Sequence, residues 1–226
     1  MRCALVHGFA GDPGSWDDVP IDGDRIALPG HLGGGPVAGD WTANLAAIAA
    51  RIGRREVVVG YSLGARVALG LVAGGHVPRA VLISVNPGIA DSERAARRAG
   101  DAAWARLARD RGIAAFIDAW QAQPLFASQA RAPAARLAAR RARRLALDPE
   151  SLAHSLETMG LAEMPDYRGL VDDRVALIAG ADDAKFVAIA RGLPARLELV
   201  AGSGHDPLLE QPDALARAID RAIAGG

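Results

Sequence analysis

One stretch constrains the rest of the chain: Glu56-Val57-Val58-Val59-Gly60-Tyr61-Ser62-Leu63-Gly64-Ala65-Arg66. Its β-branched start reads as a buried strand, Glu56 to Val59, and Ala65 to Val72 reads as a helix. A chain that passes from strand to helix within so few residues needs positions without a Cβ. The Gly-x-Ser-x-Gly pattern places two of them around one serine. At such a turn the hydroxyl stands clear of the backbone, and the first N–H groups of the helix face any negative charge that develops beside it.

Further apolar runs lacking alternation are Cys3 to Val6, Arg25 to Leu28, Ala80 to Val85, Arg174 to Ala179 and Arg196 to Val200. Strands of this kind belong to a parallel sheet covered on both faces. Helical spacing separates them: Trp41 to Ile52 carries Leu45, Ile48 and Ile52 on one stripe, and Pro212 to Ile223 opens with proline. The alternation predicts an α/β fold, a mostly parallel sheet of about six strands with helices on both faces. Residues 91 to 165 differ. They are rich in Ala and Arg, with helical pairs such as Trp104 with Leu107 and Phe116 with Trp120. We expect a core of residues 1–90 and 166–226, with 91–165 as a helical cap inserted after the fourth strand.

The 226 residues carry 26 basic and 26 acidic side chains, which excludes a wholly basic nucleic-acid binder. From Asp91 to Arg144, however, twelve arginines face five acids, a local charge of +7. Most of these arginines are expected to be solvated helix faces. The single cysteine, Cys3, allows neither an intrachain disulfide nor a cysteine-based zinc site. The apolar run before His7 is too short for a signal peptide, and no eighteen apolar residues run together. These features predict a cytoplasmic protein, monomeric or a small homo-oligomer, without nucleic-acid or membrane partners.

A reactive serine needs a base and a group that orients the base. Gly180-Ala181-Asp182-Asp183 follows the fifth apolar run and Gly202-Ser203-Gly204-His205 the sixth. Ser62, Asp183 and His205 thus each sit beyond the carboxyl end of a strand. Asp183 is preferred to Asp182, with a helix cap as its alternative role. His31, His76 and His154 suit the base less well, and His7 reads as a structural residue of its loop. The backbone N–H groups of Phe9 and Leu63 are candidates for an oxyanion hole. Arg66 lies one helical turn after Ser62 on the same face, where a cation suits a carboxylate substrate. A salt bridge to the cap or a nearby loop is the other reading.

At these residues the sequence resembles the α/β-hydrolase superfamily and, within it, the 2-succinyl-6-hydroxy-2,4-cyclohexadiene-1-carboxylate synthase family. The resemblance is carried by His7-Gly8-Phe9, Leu28-Pro29-Gly30-His31, the stretch from Gly60 to Arg66 and Asn86-Pro87-Gly88. The more specific segments are Glu93-Arg94-Ala95-Ala96-Arg97, Gln123-Pro124-Leu125-Phe126-Ala127-Ser128, Asp183-Ala184-Lys185-Phe186 and Gly204-His205. It implies a carbon–oxygen lyase of menaquinone biosynthesis, without metal or organic cofactor. Such an enzyme eliminates pyruvate from a small anionic polycarboxylate, 2-succinyl-5-enolpyruvyl-6-hydroxy-3-cyclohexene-1-carboxylate. The triad would act as base, negative charge would spread onto the ring carboxylate, and Tyr61, Arg66, Arg97, Trp120 and Arg144 would bind substrate. Four features depart from the family pattern. The usual N-terminal hairpin is expected to be missing, leaving six core strands, and Ala65 replaces the second glycine after the elbow. Asp206-Pro207-Leu208-Leu209 stands where a second histidine is common, and Leu32-Gly33-Gly34-Gly35 forms a glycine run expected to be mobile. The competing readings are a serine carboxylesterase or C–C bond hydrolase with the same triad, and a non-catalytic binding protein.

Overall fold

Strand residues that are all apolar are stable only where both faces are covered, and this sets the architecture. The structure, a computed structural model, describes residues 3–225. The strands are β1 (Cys3–Val6), β2 (Asp24–Ile26), β3 (Val57–Tyr61), β4 (Arg79–Ile83), β5 (Val175–Gly180) and β6 (Arg196–Val200). They form one sheet in the order β2-β1-β3-β4-β5-β6, and every pairing is parallel. Ala4, Val6, Val58 and Leu82 pack against α1 (Trp41–Ile52) and α2 (Leu63–Ala73). Cys3, Leu5, Val59 and Ile83 point the other way, toward Trp16 and α8 (Pro212–Ala224). Full burial of one such Leu or Ile contributes roughly 1.5–3 kcal/mol, so both layers are needed.

Helices α3 (Asp91–Gln121), α4 (Ala134–Leu145) and α5 (Pro149–Met159) connect β4 to β5, with a 3-10 stretch at Pro124–Arg131. Helix α3 is broken at Gly112, whose φ of 74° no helix residue adopts. These helices share their own core, in which Phe116 and Ile117 are fully buried and Trp104, Leu107 and Trp120 pack against them. Short helices α6 (Ala184–Arg191) and α7 (Pro207–Glu210) follow β5 and β6. Among the described residues no helix is long and apolar enough to cross a membrane.

Strand ends depart from expectation where side chains capture the backbone. β2 stops at Ile26 because the Leu28 N–H donates to His7 Nε2 instead of a ladder partner. β4 stops at Ile83 because Ser84 takes a φ of 52°. Of the twelve arginines between 91 and 144 only Arg140 and Arg144 are buried, so most lie on solvated helix faces, but they are not unpartnered there. Nine of the twelve form ion pairs, including Arg98 with Glu163, Arg109 with Glu150 and Glu157, and Arg140 with Asp206. Their acidic partners lie largely outside that segment, which is why local charge counting misleads. The glycine run after His31 is tied down too: the Gly30 N–H donates to Gly35 O, and Arg51 donates to the carbonyls of Gly33 and Gly34.

Candidate active site

The turn between β3 and α2 has the geometry its glycines permit. Ser62 sits at φ 51°, ψ −105°, outside the regions L-residues favour. A Cβ on Gly60 would lie 2.6 Å from the Ala65 nitrogen, and one on Gly64 would lie 2.6 Å from the His7 carbonyl oxygen. Both glycines are required because backbone crosses backbone here. Helix α2 therefore starts at Leu63, two residues earlier than helical spacing indicates.

The Ser62 hydroxyl lies 3.2 Å from His205 Nε2, and His205 Nδ1 donates to Asp183 Oδ2 at 2.9 Å. The other Asp183 oxygen accepts the Phe186 N–H at the start of α6, so one carboxylate both caps a helix and orients the imidazole. Asp182 instead turns outward to Arg131. Both His205 and Asp183 are buried. The ring of Phe186 lies 4.4 Å from that of His205, and the Ser84 hydroxyl donates to the His205 carbonyl at 2.9 Å. Glu210 accepts from the Gly204 N–H and from Ser128, which ties the His205 loop to the inserted helices.

The loop after β1 is fixed by two buried histidines. His7 Nε2 accepts from Leu28 and His31 Nε2 accepts from the Ala10 N–H; each Nδ1 donates to a carbonyl, Gly8 and Pro29 respectively. Burial pushes the pKa of His7 down to about 3 and that of His31 to about 4, so both are neutral. This framework holds the loop that carries Phe9. Neither the Phe9 nor the Leu63 backbone N–H has a hydrogen-bond partner among the described residues, and both residues line a cavity of about 790 Å³ with Ser62 and His205.

Arg66, Arg97 and Trp120 line the same cavity. Arg66 donates to the Met159 carbonyl, and Arg97 is held by Asp101 at 2.9 Å. Burial, then repulsion from Arg97, presses the Arg66 pKa down to about 9. The group stays cationic at neutral pH, and a bound carboxylate would offset its lost hydration. Trp120 stacks on Phe116 and packs against Phe9. Tyr61 and Arg144 lie elsewhere. Tyr61 is buried in the sheet layer, its hydroxyl pKa raised by burial against the opposing pull of Arg140 and Arg144. Arg144 is buried and donates to the Ala10 carbonyl. Neither is among the residues lining the cavity.

Sequence reasoning missed Ser84, which no local motif marks, and the buried pair of Arg140 with Asp206. The i,i+4 spacing of Arg97 and Asp101 did offer a readable signal. Among the described residues no group of three or more His, Cys, Asp or Glu is placed to hold a metal ion.

A parallel sheet with a serine on its sharpest turn, a histidine beyond its last strand and an aspartate between them is the architecture of the alpha/beta hydrolase family, and residues 4–218 match that family. The chain is 32% identical to the 2-succinyl-6-hydroxy-2,4-cyclohexadiene-1-carboxylate synthase of Klebsiella pneumoniae subsp. pneumoniae, over 97% of this chain and 92% of that one. It is similar in structure to MenH from S. aureus, with a TM-score of 0.88 and 28% identity over 100% of this chain and 94% of that chain. A thermophilic esterase from Thermogutta terrifontis shares the fold at a TM-score of 0.79 and 22% identity, over 100% and 90% of the two chains. The chain therefore belongs to the 2-succinyl-6-hydroxy-2,4-cyclohexadiene-1-carboxylate synthases of the alpha/beta hydrolase family.

Proposed function

We propose that the protein is the carbon–oxygen lyase that eliminates pyruvate from 2-succinyl-5-enolpyruvyl-6-hydroxy-3-cyclohexene-1-carboxylate in menaquinone biosynthesis, with Ser62 as the base. The observation that carries this reading is a Ser62–His205–Asp183 relay opening on a cavity whose wall holds Arg66 and Arg97. Neutral esters have no use for two guanidiniums there, whereas a polycarboxylate does.

The ring has one double bond before the reaction, C3=C4, and two after it, C2=C3 and C4=C5. The proton therefore leaves C2, its electron pair becomes C2=C3, the existing π pair shifts to C4=C5, and the C5–O bond breaks. As Ser62 takes the C2 proton, its own passes to His205, whose imidazolium is stabilised by Asp183. That proton then goes to the departing enolpyruvate, which becomes pyruvate, and the enzyme is regenerated. C2 neighbours the succinyl ketone, so charge develops on the ketone oxygen and not on the ring carboxylate that the resemblance implied. The Phe9 and Leu63 N–H groups are the donors in reach of Ser62 for that oxygen.

In this reading Arg66 and Arg97 grip carboxylates, Trp120 supplies an apolar wall, and residues 91–165 act as the cap over the site. Tyr61 and Arg144 support the site from behind its wall. The cytoplasm is the proposed location, in keeping with a single buried free cysteine.

Pyruvate release from the enolpyruvyl substrate tests the function. Ser62→Ala should lose at least about 10³-fold in turnover, and Arg66→Ala should lose turnover while keeping the fold. Wild-type protein that cleaves p-nitrophenyl esters briskly and releases no pyruvate would show a hydrolase instead.

A further inference from the structure

The chain contains 25 arginines and one lysine, Lys185. That lysine is the second residue of α6, two positions after Asp183. Its ammonium lies 5.7 Å from the centre of the Phe186 ring, and that ring lies 4.4 Å from His205. The one lysine ammonium thus stands one aromatic ring away from the base.

A second cavity, of about 860 Å³, adjoins the one that holds Ser62. Asn86, Ala96, Arg97, Leu161 and Lys185 line both, so these five residues form the junction between the two spaces. Among the other charged groups in the second cavity, Arg168 is paired with Asp166, and the Glu93 carboxylate accepts the Ala90 N–H. At the junction Arg97 is held by Asp101. Lys185 forms no ion pair among the described residues, which makes it the junction cation whose charge is uncommitted.

We infer that Lys185 is a specificity-determining residue, binding the carboxylate of a substrate side arm that extends from the Ser62 cavity into the adjoining one. The inference rests on the proposed elimination, whose substrate has two such arms, succinyl and enolpyruvyl. A compact ammonium with three rotatable donors suits this position better than a guanidinium fork, because the arm's carboxylate has no fixed plane relative to the ring. The contact is made with ground state and transition state alike, so its loss appears in KM and leaves kcat near the wild-type value.

The test compares wild type, Lys185→Met and Lys185→Arg in steady-state pyruvate release, with succinate and pyruvate as separate competing anions. Lys185→Met is expected to raise KM roughly tenfold with kcat within about threefold, and Lys185→Arg to recover most of the loss. Weaker inhibition of Lys185→Met by succinate alone assigns the succinyl arm, and weaker inhibition by pyruvate alone assigns the enolpyruvyl arm. An unchanged KM with unchanged inhibition by both anions, or a loss confined to kcat, would overturn the inference while wild-type turnover leaves the proposed function intact. Should wild type release no pyruvate, that function fails. Calorimetric titration of wild type and Lys185→Met with succinate and pyruvate then decides the site: weaker binding of either anion by the variant upholds it, and equal binding of both overturns it.

Discussion

The Ser84 hydroxyl donates to the carbonyl of His205, joining the end of β4 to the loop that carries the imidazole. Ser84 sits at φ 52°, so the chain accepts an unfavourable conformation at the point where it fixes His205. Ser84→Gly keeps that conformation and removes the hydroxyl. The bond is present without substrate, so the loss of about 1 kcal/mol is expected in stability, and a fall in kcat for pyruvate release reports that the imidazole has lost its positioning. A wild-type kcat would show that the loop holds His205 without this bond.

Gly64 is surrounded by backbone, whereas Gly100 in α3 has open space around its missing Cβ. Gly64→Ala should therefore destabilise by well over about 2 kcal/mol, since neither β1 nor the His7 loop can move away. Gly100→Ala should stabilise by roughly 0.5–1 kcal/mol through helix propensity. Urea unfolding of the two variants measures both signs.

Arg140 and Asp206 form an ion pair in which both side chains are almost completely buried, and Gln129 also donates to Asp206. Arg140→Met strands a carboxylate in the interior and should cost about 3–5 kcal/mol. Arg140→Met combined with Asp206→Asn should recover much of that, because an amide can still cap α7. Additive losses in a denaturant double-mutant cycle would mean that the pair is not coupled.

His7 and His31 have pKa values of about 3 and about 4 in the folded protein, against 6.5 for an ordinary histidine. Between pH 6.5 and 4 the unfolded chain binds protons at these positions and the native protein does not. Stability is therefore fully present above pH 6.5 and falls as the pH drops, by up to roughly 1.4 kcal/mol per pH unit for each histidine. Urea unfolding from pH 7 to 4.5 should show this slope, and His31→Asn should make it shallower by about one proton. A slope unaffected by that substitution would show that His31 takes up no proton on unfolding in this range.

Much of the fold can be read from sequence because apolar runs and turn glycines act locally. Trp41–Ile52 has the bounds its spacing predicts, and Cys3–Val6 and Arg196–Val200 coincide with strands. The pattern failed where a distant side chain intervened, as when His7 took the Leu28 N–H and shortened β2. The same contrast holds at the site. Ser62, Asp183 and His205 follow strand ends and are legible, and Arg66 follows from helix geometry. Ser84, Lys185 at the junction and the retreat of Tyr61 and Arg144 behind the cavity wall depend on contacts between residues far apart in the chain.

In the proposed reaction Ser62 removes a proton and is never acylated. The most direct measurement is a single-turnover reaction with substrate deuterated at C2, following pyruvate release and the intact protein mass together. Slower release than with the protiated substrate is expected, with a protein mass that stays unchanged throughout. Release insensitive to deuterium, accompanied by a transient mass increase that disappears in Ser62→Ala, would contradict the proposed reaction.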